Sequence, residues 1–422
     1  MSRKSGFSFV FLILAFSLIL SVFSSGSAFP ASLVIKAGTV MTMTNGAISR
    51  AAVIIKDGKI VSTASWDSVK APPDAKVFEF PDGTLMPGMI DAHCYIGLVG
   101  LSTVPSIVDL DESTDPITPS LRAEDGINPA DKSFEDARKG GVTSAFICPG
   151  DDNVVGGQGA FLKLNGNIVD KMLVKSSCGM QASIGERPKG IYSKKGRKPS
   201  TRMGEASVLR DALLRAQAYV ARMKNFQEKK LDREFRDSEK DMEMESLRGV
   251  LSGEMPLVVD CHRASDIATA MRLASELNLK LILSRATEAH LIADEIAARK
   301  IPVIVGPVRT APSSMEKLNA SLKNAAILNQ KGVKIAFQTG SSHSVESLPI
   351  EAAFAVANGL DRNAALRALT IDAAEILGVQ SRVGSIEPGK DADLVVFDGD
   401  PLALKTRAKL VIIGGEIAYS EK

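Results

Sequence analysis

The chain has 422 residues, of which 45% are hydrophobic and 24% are charged, and its formal net charge is +2. This is the composition of an ordinary globular protein, and the length fits one large domain with an attachment, or two domains. The charge is nearly balanced and no aromatic-rich basic stripe is present, so nothing indicates a nucleic-acid-binding surface.

The N-terminus has the pattern of a secretory signal. Arg3 and Lys4 precede an apolar run over residues 7–23, and small residues follow up to Ala28. This order predicts cleavage near Ala28, so we interpret residues 1–28 as a signal peptide. A retained membrane anchor is the alternative, but the run is somewhat short for roughly 30 Å of hydrocarbon. We therefore expect an exported protein, periplasmic or extracellular, without a membrane span after cleavage.

Both ends of the mature chain are rich in short apolar runs separated by turns. Asp57-Gly58 lies between two such runs and is a hairpin signal, and residues 410–418 repeat the hairpin pattern. We predict that residues 29–84 and 380–422 together form one small β-sandwich-like domain.

The middle of the chain, residues 85–379, alternates apolar strand-like runs with helical patterns. Seven runs are clear, at 85–93, 142–148, 172–176, 257–262, 279–283, 301–305 and 333–337. An eighth strand could lie near residues 156–163. Continuous apolar strands separated by amphipathic helices indicate a parallel sheet covered on both faces. The fold class is therefore α/β, with a (β/α)8 TIM barrel favoured over a doubly wound open sheet.

Three segments in chain order carry a family resemblance. They are Pro87-Gly88-Met89-Ile90-Asp91-Ala92-His93, Gly141-Val142-Thr143-Ser144 and Gly384-Ser385-Ile386-Glu387-Pro388-Gly389-Lys390-Asp391-Ala392-Asp393. They resemble the first barrel strand, the second strand and the return into the small domain of the amidohydrolase superfamily, and within it the imidazolonepropionase-like and dihydroorotase-like enzymes. The resemblance implies a (β/α)8 barrel and hydrolysis of a carbon–nitrogen bond, as in cyclic amides, by a metal-activated water.

The resemblance also implies a metal site at the carboxyl ends of the barrel strands. The usual ligands are an H-x-H pair after strand one, a bridging carboxylate or carbamylated lysine, histidines after strands five and six, and an aspartate after strand eight. Imidazole and carboxylate suit zinc, which lowers the pKa of a bound water to about 7. The aspartate then takes the proton from this water.

The sequence departs from this ligand set at three positions. His93 matches the first histidine, but Tyr95 stands in place of the second. Arg285 occupies the strand-six position, and its guanidinium has no lone pair to donate to a metal. Gly340 occupies the strand-eight position, so the expected proton acceptor is missing. The chain has only four histidines in total, which makes a multi-histidine site hard to build.

A reduced metal site could be built from four remaining side chains, His93, Glu186, Asp260 and His262. They could hold one divalent ion, zinc before others, and a pocket that binds no metal is the alternative. Asp260 is also a candidate catalytic group. His343 lies three residues beyond Gly340 and is the best substitute proton acceptor, although a loop histidine without a catalytic role is the simpler interpretation.

Three basic residues are candidates for substrate binding. Lys163 and Arg202 lie in loop-like segments and could recognise an anionic group, although ordinary surface positions are the simpler interpretation. Arg285 could pair with Asp260 or Glu186 and so replace the charge of the metal.

Two functions from different classes remain open. The first is a hydrolase that acts on a small amide-like molecule. The second is an inactive pseudo-amidohydrolase that serves as a binding protein or a partner subunit, in a homo-oligomer or with an active relative. The first requires at least three donor atoms to converge on one point, and the second predicts Arg285 at that point.

The four cysteines lie in or beside apolar strand-like segments, where buried free thiols are expected. A bridge between Cys148 and Cys178 is the alternative, because both would lie near the tops of neighbouring strands. A metal-bridging lysine such as Lys175 could also lie in this part of the chain.

Overall fold

The computed structural model describes residues 32–100, 104–228, 240–309 and 311–421. The predicted signal peptide, residues 1–28, lies outside the described residues. Within the described ranges, no helix combines the length and the apolar character that a membrane span requires.

The described residues form two sheets with helices around one of them. The strands are β1 (Ser32–Met41), β2 (Ala47–Lys56), β3 (Lys59–Ser65), β4 (Lys76–Pro87), β5 (Met89–Cys94), β6 (Val142–Ile147), β7 (Val155–Lys163), β8 (Leu173–Ser183), β9 (Leu257–Cys261), β10 (Leu281–Arg285), β11 (Val303–Val305), β12 (Ile335–Phe337), β13 (Leu394–Phe397), β14 (Ala408–Ile413) and β15 (Glu416–Ser420). The helices are α1 (Ala123–Gly126), α2 (Lys132–Lys139), α3 (Val169–Met172), α4 (Glu186–Lys194), α5 (Arg202–Glu228), α6 (Met242–Leu251), α7 (Ala264–Glu276), α8 (Ala293–Ala298), α9 (Asn324–Gln330), α10 (Leu348–Ala357), α11 (Arg362–Ala368) and α12 (Ile371–Leu377). Short 3-10 helices cover Pro105–Ile107, Ala289–Ile292, Met315–Lys317 and Val345–Ser347.

The small domain is a seven-stranded sheet built from both ends of the chain, as the sequence predicted. Its strand order is β15-β14-β13-β4-β1-β2-β3, so β4 joins the N-terminal strands to the C-terminal ones. Alternate residues of β13 face opposite sides: Leu394 and Val396 pack within the small domain, whereas Val395 and Phe397 pack in the cluster that surrounds the barrel. The sheet is therefore buried on both faces at its centre.

The second sheet is the predicted barrel, with strand order β12-β11-β10-β9-β8-β7-β6-β5. Its first and last strands meet, because the backbone amide of Gly340 donates to the carbonyl of His93 and that of Tyr95 donates to the carbonyl of Ser341. The carboxylate of Asp91 accepts from the amide of Thr339 at 3.2 Å across the same seam. The sheet therefore curls into a nearly closed barrel, and the open-sheet alternative is excluded.

Strand β7 is the eighth strand, but its direction differs from that of a regular parallel barrel. It pairs antiparallel with β6 and with β8, so β7 and β8 form a hairpin within an otherwise parallel sheet. Residues 155–163 therefore run from the carboxyl end of the barrel back to its amino end, which decides where Lys163 lies.

All four cysteines are buried free thiols, including Cys148 and Cys178. Their side chains lie in apolar surroundings, where burial raises the pKa of each thiol. The Lys175 ammonium donates to the carbonyl of Leu377 at 2.9 Å, near the start of β8, and so does not reach the carboxyl end of the barrel.

Candidate functional site

The candidate site lies at the carboxyl end of the barrel, and we call it the mouth. It consists of His93, Tyr95, Asp260, Ser284, Arg285 and Gln338. On β9, Val258 packs in the barrel interior, so Asp260, two residues further on, faces the same side. The same alternation brings Ser284 of β10 inward after Ile282. Asp260 and Ser284 are register partners, so their side chains lie side by side above the apolar interior.

His93 is the fully buried imidazole of the mouth. Its Nδ1 atom shares a hydrogen bond of 2.7 Å with Ser284 Oγ and lies 3.5 Å from Asp260 Oδ1. Burial lowers the pKa of His93, the carboxylate of Asp260 opposes this effect, and the charge of Arg285 adds to it. The ring is therefore neutral near pH 7, and its Nε2 atom has no hydrogen-bond partner among the described residues.

Arg285 bridges Asp260 and Tyr95. Its Nε donates to Asp260 Oδ2 at 2.9 Å and its Nη2 donates to the Tyr95 hydroxyl at 2.7 Å. Asp151 Oδ2 lies 3.9 Å from the same Nη2 atom. Burial opposes ionisation of Asp260, but the positive charge and the hydrogen bond of Arg285 outweigh it and hold the pKa of this carboxyl below its ordinary value. The mouth therefore holds a permanent ion pair.

Several polar atoms at and just below the mouth are buried without a hydrogen-bond partner among the described residues. They are His93 Nε2, Gln181 Oε1 and Nε2, Ser183 Oγ, Asp260 Oδ1 and Gln338 Oε1. Ser183 is the register partner of Asp260, and Gln338 donates to Ser284 Oγ at 3.2 Å. Gln181 is the register partner of Val258 and so lies one layer of inward-facing side chains below Asp260. Buried polar groups are nearly always paired, so their number here points to bound water or a polar ligand.

A second polar cluster lies beside the mouth, at the N-terminus of α4. The carboxyl oxygen Oε1 of Glu205 accepts from the amides of Gly185 and Lys189 at 3.3 and 3.2 Å, and Glu316 accepts from the amide of Glu186 at 2.8 Å. These are donors that a helix start leaves unpaired. Burial raises the pKa of Glu205 to about 8. The two buried glutamates thus fix the start of α4.

Comparison with known proteins places the chain in a family. An amidohydrolase from Thermotoga maritima MSB8 of known structure is 36% identical, with a TM-score of 0.88, and the match covers 92% of this chain and 100% of that one. This chain belongs to the amidohydrolase family. The model described as "Amidohydrolase family" matches residues 227–418.

Two further matches are more distant. Amidohydrolase tasK of Hapsidospora irregularis is 27% identical over 376 residues, which are 83% of this chain but 38% of that protein. The chain thus spans well under half the length of that curated relative. An adenosine deaminase from Xanthomonas campestris with bound zinc is 20% identical, with a TM-score of 0.54 and coverage of 91% and 92%, and it supports the fold alone.

The three departures from the family's ligand set meet at one place in this amidohydrolase. Tyr95 and Asp260 hold the guanidinium of Arg285, and a Cβ atom built on Gly340 would lie 3.3 Å from Arg285 Nη1. The missing side chain at residue 340 therefore leaves room for the arginine. Arg285 itself is only 12% exposed.

The residues present do not fit a divalent metal at the mouth. His93 and Asp260 supply two donors, and within the described ranges no three His, Cys, Asp or Glu side chains are placed to share an ion. Structural and catalytic zinc sites use three or four protein ligands. A divalent ion about 4 Å from a guanidinium would also meet a repulsion of about 8 kcal/mol at an effective dielectric constant of 20.

The four predicted metal ligands separate into two pairs. His93 and Asp260 meet at the mouth, as described above. His262 instead shares a hydrogen bond of 2.6 Å with Thr287 through Nδ1, and its Nε2 lies 3.8 Å from Glu316 Oε1. Burial and the charge of Arg285 lower the pKa of His262 to about 3. Glu186 begins α4, beside Glu316, so His262 and Glu186 belong to the second cluster.

Lys163 and Arg202 were expected in loops near the substrate, and the structure places each of them on a regular element beside acidic partners. Lys163 ends the antiparallel strand β7, at the opposite end of the barrel, where its ammonium pairs with Asp391 at 2.8 Å and Asp393 at 2.9 Å. Arg202 begins α5, and its Nε donates to both carboxylate oxygens of Asp266 at 2.9 and 3.0 Å. Lys163 therefore does not reach the mouth, whereas Arg202 lies in the second cluster, with its Nη2 atom 3.8 Å from Glu316 Oε2.

His343 lies near the mouth, but both of its ring nitrogens are engaged. Nε2 lies 2.9 Å from the carbonyl oxygen of Gly100 and must donate to it, while Nδ1 lies 2.7 Å from Ser342 Oγ and accepts from it. A proton could be taken up only at the expense of one of these bonds. The geometry therefore gives His343 no free lone pair for the predicted role of proton acceptor.

Sequence reasoning missed several residues of the site. Ser284 and Gln338 could have been found, because each lies two residues after an inward-facing apolar residue of a predicted strand. Glu205 and Glu316 carried no such signal, since a glutamate in a helix or a loop is ordinarily exposed. Their burial depends on tertiary contacts with the start of α4.

Proposed function

We propose that this chain hydrolyses a carbon–nitrogen bond in a small amide-like molecule that binds at the mouth. The observation that carries the proposal is the pair formed by His93 and ionised Asp260, each with a buried unpartnered atom, at the barrel end where this fold holds its active sites. Membership of the amidohydrolase family supports the reaction class.

The charge balance at the mouth favours a neutral substrate. The guanidinium of Arg285 is already balanced by Asp260 and lies near Asp151, so it offers little net attraction for an anion. The amide group of Gln181 has both a donor and an acceptor unused among the described residues. These groups match an amide or lactam, which itself carries one carbonyl acceptor and N–H donors.

The residues of the mouth can position water and move a proton. When Nδ1 of His93 donates to Ser284, its Nε2 carries a lone pair that can accept a proton from water. Asp260 holds the imidazole by charge and stabilises its protonated form. Because the donor set does not fit a metal, the protein's own side chains carry out this work. One divalent metal ion, zinc before others, is implied only by the resemblance to the family.

A turnover screen tests this function on neutral cyclic and linear amides, with N-acyl amino acids and dipeptides as the charged comparison. Asp260→Asn and His93→Gln should each lower kcat/KM by about 100-fold or more, since they remove charge and proton transfer. Asp74→Asn, an exposed position far from the mouth, is the matched control and should retain activity. Turnover that Asp260→Asn leaves unchanged would refute the assignment, and so would the absence of turnover across the panel.

The second candidate function is a non-catalytic binding protein, and one specific observation favours it. Arg285 contacts Asp260, which is the arrangement that the sequence predicts for a pseudo-amidohydrolase. Under this alternative, an amide that raises the melting temperature of the wild type is bound without being cleaved. Thermal shift and product analysis on the same panel separate the two functions.

A further inference from the structure

The backbone holds Arg285 in an uncommon conformation. Its φ angle is +61° and that of Ala286 is +40°, both in the left-handed region that side chains other than glycine rarely adopt. Such strain persists only where the surroundings impose it, and it clusters at functional sites. Here the surroundings are the two side chains that receive the guanidinium, Asp260 and Tyr95.

The mouth is shaped around this guanidinium on three sides. Asp260 accepts from Nε, the Tyr95 hydroxyl accepts from Nη2, and the ring centre of Tyr95 lies 5.9 Å from Cζ. On the third side, Gly340 has a φ angle of +57°, and a Cβ atom there would come within 3.3 Å of Nη1. Tyr95 and Gly340 stand at two positions where the family's pattern has metal ligands. In this chain Tyr95 accepts a hydrogen bond from Arg285, and Gly340 leaves space beside it.

We propose that the Arg285 guanidinium takes the place of the divalent metal ion in this amidohydrolase, as a cation fixed within the protein that neutralises Asp260 and prevents a metal from binding. The three departures then form one coordinated replacement. A histidine in place of Tyr95 would lose the hydroxyl that accepts from Nη2, and an aspartate in place of Gly340 would fill the space beside Nη1.

This inference concerns the cation and not the reaction, so it does not depend on the proposed hydrolysis. Zinc binding is measured without any substrate, and therefore each proposal can fail while the other stands. The experiment compares the wild type with the triple variant Tyr95→His/Arg285→His/Gly340→Asp, which restores the family's residue types. Arg285→Lys is the matched control, because it keeps a cation and adds no ligand.

Equilibrium dialysis against zinc and the visible absorption of bound cobalt are the readouts. We expect no stoichiometric zinc in the wild type or in Arg285→Lys. The triple variant should bind zinc at least about 100-fold more tightly than the wild type, and its cobalt form should show the absorption of a four- or five-coordinate ion.

Two results would overturn the inference. One is stoichiometric zinc in the wild type that is lost in Asp260→Asn. The other is a folded triple variant that binds zinc no better than the wild type. Folding is checked by far-UV circular dichroism and by the fluorescence of Trp66, the single tryptophan of the chain. If the triple variant does not fold, Arg285→His alone undergoes the same test with the same two outcomes.

Discussion

Two buried charge clusters lie at opposite ends of the barrel, and they differ in how completely their polar atoms are paired. At the amino end, Lys163 pairs with Asp391 and Asp393, and Asp391 also receives Lys59 and Arg382. We call this cluster the junction, because it links β7 of the barrel to the return segment of the small domain. At the mouth, a single cation faces Asp260, and neighbouring polar atoms lack partners.

The comparison shows that buried charge alone does not mark a functional site. In the junction, Asp393 retains one unpartnered oxygen, but its other oxygen accepts from Lys163 and from the amide of Gly414. The mouth and the level just below it combine unpartnered atoms of five side chains with a left-handed backbone at Arg285. The junction has the features of a structural clamp, and the mouth has those of a binding site.

The largest effect is expected from breaking the junction. Lys163→Met leaves Asp393 buried without its cation, so the free energy of unfolding should fall by about 3–5 kcal/mol. Urea unfolding followed by Trp66 fluorescence and by circular dichroism measures this loss. Lys132→Met removes an exposed ion pair with Asp136 and is the control, which should leave the unfolding midpoint unchanged. Equal midpoints for the two variants would contradict the clamp.

Removing the cation of the mouth should cost somewhat less, about 3 kcal/mol, because water can enter there. Arg285→Met leaves Asp260 charged and unpaired, and its second partner His93 is neutral. The double variant Arg285→Met/Asp260→Asn removes both charges and should recover most of the lost stability. Urea unfolding of both variants measures the coupling. Additive losses in the double variant would show that the ion pair does not organise the mouth.

An intermediate effect concerns pH and the barrel seam. Burial raises the pKa of Asp91 from 3.8 to about 7, against hydrogen bonds from Thr339 that lower it. The folded chain thus binds this proton more tightly than the unfolded chain, so the stabilisation present below about pH 4 is lost as the pH rises towards 7. Between about pH 5.5 and pH 8 the wild type should lose about 2 kcal/mol relative to Asp91→Asn. Unfolding curves across this range test the prediction, and parallel pH profiles would contradict it.

The smallest effect tests the fit between Gly340 and Arg285. Gly340→Ala should destabilise the protein by about 2 kcal/mol, part of it from the left-handed backbone and part from the contact with Arg285. Gly46→Ala is the matched control, because Gly46 has a φ angle of +77° and a Cβ atom there would meet nothing within 4 Å. The excess over the control, about 1 kcal/mol, measures the contact. If the two variants lose the same stability, the glycine at residue 340 is not needed to make room for the arginine.

Sequence patterns predicted the elements whose signals are local. The strand ends at His93, Asp260 and Arg285 follow from apolar runs, and the β-rich ends predicted the small sheet. The direction of β7 did not follow from its composition, because an apolar run reads the same in a parallel or an antiparallel strand. Lys163 was therefore expected at the carboxyl end of the barrel, but it lies at the amino end.

The candidate site could be predicted only in part, for a similar reason. Chain order placed His262 two residues after Asp260, and continued alternation would turn both side chains to the same side. The strand ends at Cys261, however, and the turn into α7 places His262 beside Thr287 and Glu316 instead of beside His93. Glu186 was expected at the mouth, yet the capping of α4 by Glu316 holds it in the second cluster. Both outcomes depend on contacts between elements that are distant in the chain.

The most direct test of the central claim is an anomalous difference map at the zinc absorption edge, from wild-type crystals grown with zinc. We expect the guanidinium of Arg285 to lie between Asp260 and Tyr95, with no anomalous peak at the mouth. A strong peak within bonding distance of His93 Nε2 and Asp260 Oδ1, with Arg285 displaced, would contradict it.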